Sequence, residues 1–428
     1  MDVVSQFAAL CDSRLGQGLR AGVGLIVFIA LAWVLSEKRR AFPWRAVVIG
    51  LFSQIALAVI LTRVPAITWV FGRIAHGVDA VQASATAGAT FVFGYLGGGP
   101  SPFVHGPADA STFIFALQAL PAVLLVSALS ALLWHWGILR VIVRGAAWLF
   151  SRWLDVSGPV AVSTSACIFL GMVEAPLLVR PLLPKLSRGE LFTIMVDGMS
   201  VIAGSMMILL GSLLNGRVPD AFTHLLSASM ISTPMAITLS RVMIPAERSD
   251  TGPLELTTPY RSALDAMTHG TLNGLRVAAY IAGLLIVFVG TISLINLMLA
   301  QVPHAGAPLS LGLILGWVLA PVAWLMGVAT SDLQTVGGLL GTKVAMNEVV
   351  AYGQLLHLPA QALQPRSLLI VTYALCSFGN LGSVAILIGT LTALAPEKAD
   401  EIVGMGFKAL TAAFLTTCMT GTLIGLIS

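Results

Sequence analysis

Eight stretches of this chain are long and apolar enough, or nearly so, to cross a lipid bilayer as helices. A bilayer core about 30 Å thick needs roughly 20 apolar residues in a helix. Charged residues make up 10% of the 428 residues and hydrophobic residues 57%, whereas soluble domains carry about 25% charged residues. The sequence therefore predicts an all-α polytopic membrane protein. Its predicted spans are 21–36, 46–62, 112–134, 189–214, 224–244, 275–300, 367–394 and 402–427.

Composition also excludes several other classes of protein. The hydrophobicity excludes a disordered chain, and the four scattered cysteines exclude a secreted disulfide scaffold. A net charge of +4 without a dense basic stripe gives no nucleic-acid partner. The seven histidines show no metal-ligand spacing, so we assign no metal, no cofactor and no catalytic residue. The first 20 residues lack a basic region before an apolar core, which favours an uncleaved first span over a signal peptide.

The distribution of Lys and Arg predicts the orientation in the membrane. If the N-terminus lies outside, most of the 23 basic residues fall in inner loops, as the positive-inside rule requires. We therefore expect both termini on the periplasmic side of a bacterial inner membrane. Two amphipathic segments, 64–90 and 140–155, are expected to lie along the outer and inner interfaces.

Two apolar stretches, 157–188 and 309–356, begin and end on the same predicted face of the membrane. Irregular backbone at membrane depth persists only where protein or a water-filled cavity satisfies it. We interpret both as re-entrant hairpins, each followed by two spans, one opening inwards and one outwards. This inverted repeat is typical of secondary transporters. The predicted divisions are an N-terminal scaffold, a first transport repeat, a linking segment with a scaffold span, and a second transport repeat: 1–156, 157–246, 247–308 and 309–428.

Three acids, Glu174, Asp197 and Glu348, fall inside predicted membrane segments, where a charge costs about 2.5–3.5 kcal/mol. Glu174 and Glu348 occupy matching places in the hairpins, either as ligand or protonation sites or as carboxylates satisfied by backbone N–H groups. Asp197 is either a protonation site or half of an ion pair with Lys343 or Lys185. Lys343 alternatively neutralises Glu348, five residues further on.

The span 367–394 has a weak centre, with Gly379, Asn380, Gly382 and Ser383. Each glycine costs about 1 kcal/mol in a helix, so we expect a break that exposes polar backbone groups. Close helix packing through small residues is the alternative.

Four strings resemble the concentrative nucleoside transporter family in order and spacing over nearly the whole chain. They are FVFGYLGGG (91–99), GMVEAPLLVRPLLPKL (171–186), GTKVAMNEVVAY (341–352) and FGNLGSVAILIG (378–389). The resemblance implies a homotrimer in which a transport domain moves against a scaffold like an elevator. It implies substrate binding between the hairpin tips and the broken spans. Glu348, with Asn347 beside it, Asn380 and Ser383 would bind ribose, Phe378 would pack near sugar and base, and Glu174 would reach the base.

Two departures from that family affect specificity and coupling. Well-known members have Gln and Thr before the first-hairpin glutamate, where this chain has Met172 and Val173. We therefore expect relaxed or altered base recognition, because an apolar pocket discriminates by only about 1–3 kcal/mol. Sodium-coupled relatives bind Na⁺ through Asn and Ser side chains, where this chain has Cys167 and Val201. Since a hard cation prefers oxygen ligands, the sodium site looks degenerate.

The sequence thus predicts a proton-driven nucleoside symporter of the inner membrane, with Glu174, Glu348 and Asp197 as proton-coupling candidates. A sodium-coupled symporter and a transporter of a modified or conjugated nucleoside are the alternatives. A membrane hydrolase is disfavoured because no Ser–His or metal set lies at membrane depth. A passive channel is disfavoured because the polar residues cluster at hairpins and broken spans rather than along a pore.

Overall fold

The structure, a computed structural model, describes residues 13–103, 113–247, 249, 256, 258–302 and 308–428. Within those residues the regular structure is helical, without a β-strand. The chain is therefore the all-α polytopic membrane protein that its hydropathy predicts. Six of its helical segments are long and apolar enough to cross a membrane by length and composition.

Each of the eight predicted spans is helical. The first two are α1 (Arg14–Val34) and α2 (Trp44–Arg63), and the third is α4 (Phe115–Gln118) with α5 (Leu120–His135). Two further spans are uninterrupted. They are α10 (Ala221–Met243), which contains Pro234, and α11 (Ala263–Leu299), which extends the prediction 275–300 by about three turns.

The remaining spans include two that are broken near their middle. Helices α8 (Arg188–Ser200) and α9 (Gly204–Leu214) are separated by the three residues 201–203. Helix α15 (Pro365–Leu375) is separated from α16 (Leu381–Leu394) by an extended segment. The last span is α17 (Ala399–Ile427). The weak centre of 367–394 predicts the second interruption correctly. The first broken span has a similar centre, with Gly198, Ser200 and Gly204.

The first hairpin consists of α7 (Gly158–Leu170) and a 3₁₀ segment (Ala175–Lys185). The second arm is 3₁₀ rather than α because Pro181 and Pro184 lack the N–H groups that an α-helix needs. A sharp turn at 171–174 joins the two arms.

The second hairpin is shorter than the predicted stretch 309–356. Its arms are α13 (Leu333–Ala345) and α14 (Glu348–His357), joined at 346–347. The first part of the stretch is a separate helix, α12 (Leu311–Leu325), which packs closely along α13. A Cβ built on Gly337 of α13 would lie 2.7 Å from the Gly316 carbonyl oxygen of α12. The sequence does mark this boundary, because α12 is apolar throughout whereas the turn at 330–332 and the start of α13 carry polar residues such as Asp332 and Gln334.

The two amphipathic segments form helices close to their predicted bounds, α3 (Pro65–Phe93) and α6 (Ile138–Trp153). Helix α6 precedes the first hairpin as α12 precedes the second. The helical order of the first repeat, α6 to α10, therefore recurs from α12 to α17.

Helices α5 and α11 form a pair that is distinct from the hairpins and broken spans. Gly270 and Gly274 of α11 allow the close approach, because a Cβ on Gly274 would lie 2.7 Å from the Leu124 Cα atom of α5. Only 6% of the apolar window of α11 is buried, compared with 89% for the span formed by α8 and α9. Helices α1 and α2, predicted as scaffold, pack mainly against α17 and α10.

Candidate substrate site

The tip of the second hairpin and the second broken span meet through two asparagine caps. Asn347 caps α14, since its Oδ1 accepts a hydrogen bond from Val350 N at 2.9 Å. Asn380 caps α16 in the same way, with Ser383 N as donor at 2.8 Å. The Asn380 Nδ2 also donates to Glu348 Oε2 at 3.1 Å. Glu348 and Asn380 are both 3% exposed, so the sequence-predicted pair forms one buried polar unit.

Helix geometry explains why these side chains converge. An Asn at a helix N-cap has an extended backbone, and its side-chain oxygen accepts a hydrogen bond from the backbone N–H of the third helical residue. The amide group of Asn347 therefore lies at the start of α14 and that of Asn380 at the start of α16. Glu348 is the first residue of α14, where the helix dipole favours an acid. Ser383 lies one turn into α16 and is buried.

The two breaks are joined directly through Phe378. Its backbone N–H donates to the Val201 carbonyl at 3.2 Å, linking the segment before α16 to the segment between α8 and α9. The Phe378 side chain is half-buried. The broken spans of both repeats therefore contribute to the same region.

The tip of the first hairpin adjoins this region at Gly171. Its φ of +94° is one that side-chain-bearing residues rarely adopt, and a Cβ there would lie 2.8 Å from Ala203 Cβ and 3.9 Å from the Phe378 ring. Met172 is buried, and a Cβ built on Gly198 of α8 would lie 3.1 Å from the Met172 Cβ atom. Val173 is 39% exposed. Met172 and Val173 are the two residues before Glu174 at which altered base recognition is expected. Val173 is accessible, whereas Met172 packs on α8.

Glu174 has a partner that the sequence analysis missed. Asn273 of α11 donates from Nδ2 to Glu174 Oε1, so the hairpin tip contacts the helix pair α5–α11. The available signal was an asparagine inside a long apolar span, because a polar residue in such a span usually binds a partner. The donor to Glu174 is therefore a side-chain amide, and not a backbone N–H group as the alternative interpretation expects.

The two positions matched to a sodium site, Cys167 and Val201, are buried at 2% and 0% exposure. Asp197 is also 0% exposed, and neither carboxylate oxygen makes a hydrogen bond to any described residue. Lys185 is exposed at the end of the first hairpin, so the alternative of an Asp197–Lys185 ion pair is wrong.

Lys343 forms neither of the two ion pairs considered for it, with Asp197 or with Glu348. Its buried Nζ donates to the Ala374 carbonyl at 2.9 Å and to Thr417 Oγ1 at 3.0 Å. Among the described residues it makes no ion pair with Asp197 or Glu348 within 4.0 Å. Its contact with the Ala374 carbonyl places a positive charge at the C-terminal end of α15, which stabilises the helix dipole where the span breaks.

A wide cleft of about 1510 Å³ separates the second hairpin from α11. Asn296 of α11 lines one side, and Thr342 and Gln354 of the hairpin line the other. The Thr342 hydroxyl donates to Gln354 Oε1 at 3.0 Å and so fastens the two hairpin arms to each other. The hairpin is thereby internally braced on the side that faces the cleft.

Comparisons with known proteins agree on one family. The chain matches the models "Na+ dependent nucleoside transporter N-terminus" over 23–96, "Nucleoside recognition" over 116–217 and "Na+ dependent nucleoside transporter C-terminus" over 224–425. The Escherichia coli (strain K12) protein NupX is 36% identical over 421 residues, covering 95% of this chain and 98% of that protein. Nucleoside permease NupC of Helicobacter pylori is 32% identical, covering 94% and 96%.

Solved structures give the same result. The chain resembles CNTnw in an inward-facing substrate-bound state with a TM-score of 0.87 and 31% identity, covering 95% of this chain and 98% of that one. An outward-facing structure of a CNTnw variant gives a TM-score of 0.85 at 30% identity, covering 96% and 97%.

Proposed function

The chain belongs to the Na⁺-dependent, concentrative nucleoside transporter family, and from that premise we propose proton-driven nucleoside uptake across a bacterial inner membrane. The observation that carries the site is the buried hydrogen bond between Glu348 and Asn380, formed where a hairpin tip meets a broken span. The protein is a transporter and not an enzyme, as its family indicates.

Ribose recognition is assigned to the second hairpin and the second broken span. The Glu348 carboxylate supplies acceptors and the Asn380 amide supplies both a donor and an acceptor, which suits the adjacent hydroxyl groups of a ribose. Hydrogen bonds to a charged group contribute about 1.5–3 kcal/mol, so the carboxylate is the stronger half of the pair. The Ser383 hydroxyl and the half-buried Phe378 ring complete the sugar side.

We assign base recognition to the tip of the first hairpin. This site is expected to select only weakly among the nucleobases. Val173 is the accessible side chain there and has no hydrogen-bonding atom. Glu174 is engaged by Asn273 of α11, which leaves its second oxygen for a base. Selectivity among bases then rests mainly on shape, which limits discrimination to about 1–3 kcal/mol.

Coupling to protons rather than Na⁺ is supported by the residues at the matched ion site. Cys167 and Val201 supply a thiol and an isopropyl group, whereas Na⁺ prefers oxygen ligands. Glu174, Glu348 and Asp197 are the carboxylates at depth that can bind a proton. The family model carries the words "Na+ dependent", so sodium coupling is the competing assignment.

The proposed movement is an elevator, with the hairpins and broken spans sliding against the pair α5–α11. The glycine-mediated packing of α5 on α11 and the cleft beside the second hairpin support it. The exposed apolar surface of α11 suits contact with lipid or with other copies of the chain. A homotrimer with both termini in the periplasm follows from the resemblance and from the positive-inside rule.

Uptake into proteoliposomes tests the function and the coupling ion together. Vesicles are loaded at one pH and diluted into media that impose either a proton gradient or a sodium gradient, with adenosine or uridine as substrate. We expect accumulation of both nucleosides under an inward proton gradient, abolished by a protonophore. Accumulation that follows sodium at fixed pH and ignores the protonophore would transfer the assignment to sodium coupling. Flux that never exceeds equilibrium would indicate a channel.

A nucleoside panel tests the base side separately. Unlabelled pyrimidine and purine nucleosides compete against labelled adenosine, and comparable inhibition by both classes is expected. Strict selectivity for pyrimidines would contradict relaxed recognition. Stronger competition by a base-modified or conjugated nucleoside would favour that substrate class instead.

A further inference from the structure

Asp197 is a buried carboxylate that the substrate site does not use. It lies in the last turn of α8, just before the break at 201–203. Its side chain is 0% exposed and both oxygens lack hydrogen-bond partners among the described residues. Helix α8 packs against α7, α10, α16 and α17, so the groups that face Asp197 come from those four helices.

Its immediate neighbours offer little to an ionised carboxylate. The Cys167 thiol of α7 lies close enough to interact with the Asp197 charge. The Thr233 hydroxyl of α10 is within reach of a hydrogen bond to Asp197, but it donates to the Ser229 carbonyl at 3.3 Å. Helix α16 carries no ionisable residue in its sequence.

The other ionisable groups of the packed helices are engaged elsewhere. On α10, His224 contacts Tyr373 and Arg241 donates to the Asp155 carbonyl. On α17, Lys408 donates to Glu37, while Glu401 pairs with Lys398. Asp400 is exposed at the start of α17. Cys418 is buried and interacts with Lys343. None of these groups forms an ion pair with Asp197 within 4.0 Å in the described part of the chain.

A carboxylate in this setting requires a bound cation. Removing an ion from water costs several kcal/mol, and only close opposite charge or hydrogen bonds offset that cost. A metal cation prefers several oxygen ligands, but Cys167 contributes sulfur and Val201 contributes no side-chain ligand. A proton needs no such ligand set. The surroundings therefore fit a carboxyl group that binds H⁺.

Asp197 is also placed to affect the substrate region. Val201 follows it by one helical turn and accepts the hydrogen bond from Phe378 N at 3.2 Å. Gly198, next to Asp197, packs on Met172 at the first hairpin tip. A change of charge at Asp197 therefore acts on the backbone that joins both breaks and on the hairpin beside them.

We propose that Asp197 is the residue that carries the coupling proton, while Glu174 and Glu348 bind substrate. This rests on the proposed function, nucleoside symport. A proton from the outer solution adds to one Asp197 oxygen, the neutral carboxyl group crosses with the nucleoside, and the same proton leaves to the inner solution. One positive charge enters per nucleoside, which gains about 2.3 kcal/mol per 100 mV of membrane potential.

The variant Asp197→Asn tests this assignment because it is a near-isosteric mimic of the protonated state. In proteoliposomes we expect nucleoside exchange at equal pH on both sides to remain measurable. Accumulation driven by an inward proton gradient should fall at least ten-fold. Acidification of the lumen during nucleoside entry, followed with a trapped pH-sensitive dye, should disappear.

The controls separate failure of this assignment from failure of the function. Glu348→Gln should lose exchange and accumulation together, since it alters substrate binding. Wild-type transport with full proton-driven accumulation by Asp197→Asn would overturn the Asp197 assignment and leave the function intact. A wild type that moves no nucleoside would overturn the function itself. Asp197→Ser, a smaller neutral variant, is measured in parallel and should also keep exchange while it loses proton-driven accumulation. Proton-coupled accumulation by either variant contradicts the proposal.

Discussion

The three acids Glu174, Asp197 and Glu348 differ in what surrounds them. Glu348 shares a hydrogen bond with Asn380 at a helix start. Glu174 contacts Asn273 of the pair α5–α11. Asp197 has no hydrogen-bond partner among the described residues. Two of these acids thus belong to polar units that can bind a ligand, and the third is buried without a hydrogen-bond partner in the described part of the chain.

Replacing Glu348 with Gln should weaken nucleoside transport without destabilising the fold. The change removes the charge that strengthens hydrogen bonds to a sugar hydroxyl, a loss of about 1.5–3 kcal/mol, or about ten- to hundred-fold in affinity. Binding is measured by calorimetry in detergent and stability by thermal unfolding. Glu397→Gln, at an exposed position, is the matched control and should bind as the wild type does. Unchanged affinity in Glu348→Gln would remove this residue from the site.

Gly171→Ala should disrupt the first hairpin tip. At φ +94° a side chain is strained, and the added Cβ would lie 2.8 Å from Ala203 Cβ. Such strain costs about 1–3 kcal/mol, so we expect a lower melting temperature and reduced uptake. Gly145→Ala provides the control, because a Cβ there meets nothing within 4 Å and Ala favours the helix. Equal melting temperatures for the two variants would contradict the close approach.

Sequence predicts which residues matter more readily than it predicts their partners. Glu174, Asp197 and Glu348 stand out because acids are rare in apolar spans. Asn273 lies 99 positions from Glu174 and Ala374 lies 31 from Lys343, and neither contact has a periodic signal. The alternatives that pair Lys343 with Asp197 or Glu348 rest on charge alone, whereas its acceptors are the Ala374 carbonyl and the Thr417 hydroxyl.

At the scale of helices, the breaks are predictable and the hairpin limits are less so. Gly and Asn near the middle of an apolar span indicate an interruption, and Asn380 then caps the helix that follows. The second hairpin is predicted too long because 309–356 is taken as one apolar stretch, although polar residues at 330–332 separate α12 from α13. In the backbone, Gly327 with its φ of +79° follows the end of α12.

A charged cluster at Glu37 joins three elements and should make stability depend on pH. Glu37 lies in the loop after α1 and accepts hydrogen bonds from Arg188 of α8 at 3.1 Å and Lys408 of α17 at 2.7 Å. The hydrogen bond from Arg188 is the main cause that lowers the Glu37 pKa below its usual range, with Lys408 adding to it against the opposing effect of partial burial.

Because the folded-state pKa is lowered, the stabilisation is complete above the unfolded-state pKa and is lost as pH falls through the folded-state value. We expect Glu37→Gln to lower the melting temperature at pH 7, and the difference from the wild type to shrink as the pH is lowered below about 4, the ordinary range of a Glu carboxyl group. Thermal unfolding in detergent across this range measures the difference. Glu247→Gln, whose side chain is 87% exposed, should show no such convergence. A wild-type advantage that persists in acid would exclude the cluster as its source.

At the scale of the whole molecule, the proposed movement separates the pair α5–α11 from a body that contains the hairpins and broken spans. Glycine packing binds α5 to α11 at backbone distance. The contact between Glu174 and Asn273 crosses from one part to the other. If the body slides against the pair during transport, the glycine contacts persist and the Glu174–Asn273 contact must break. This hydrogen bond therefore reports whether the first hairpin tip leaves the α5–α11 pair during transport.

A reversible covalent link at that contact tests the movement directly. Glu174→Cys and Asn273→Cys are combined in a chain with Cys11 replaced by Ser; Cys167, Cys376 and Cys418 are buried and are retained. The reduced double variant sets the reference uptake rate. Oxidation should lower that rate at least ten-fold, and a reductant should restore it, because the linked body cannot leave the α5–α11 pair. The two single variants under the same oxidant should not change. Proteolysis between the two positions verifies the link, because linked fragments stay joined. If the linked protein transports at the reference rate, sliding at this interface is excluded.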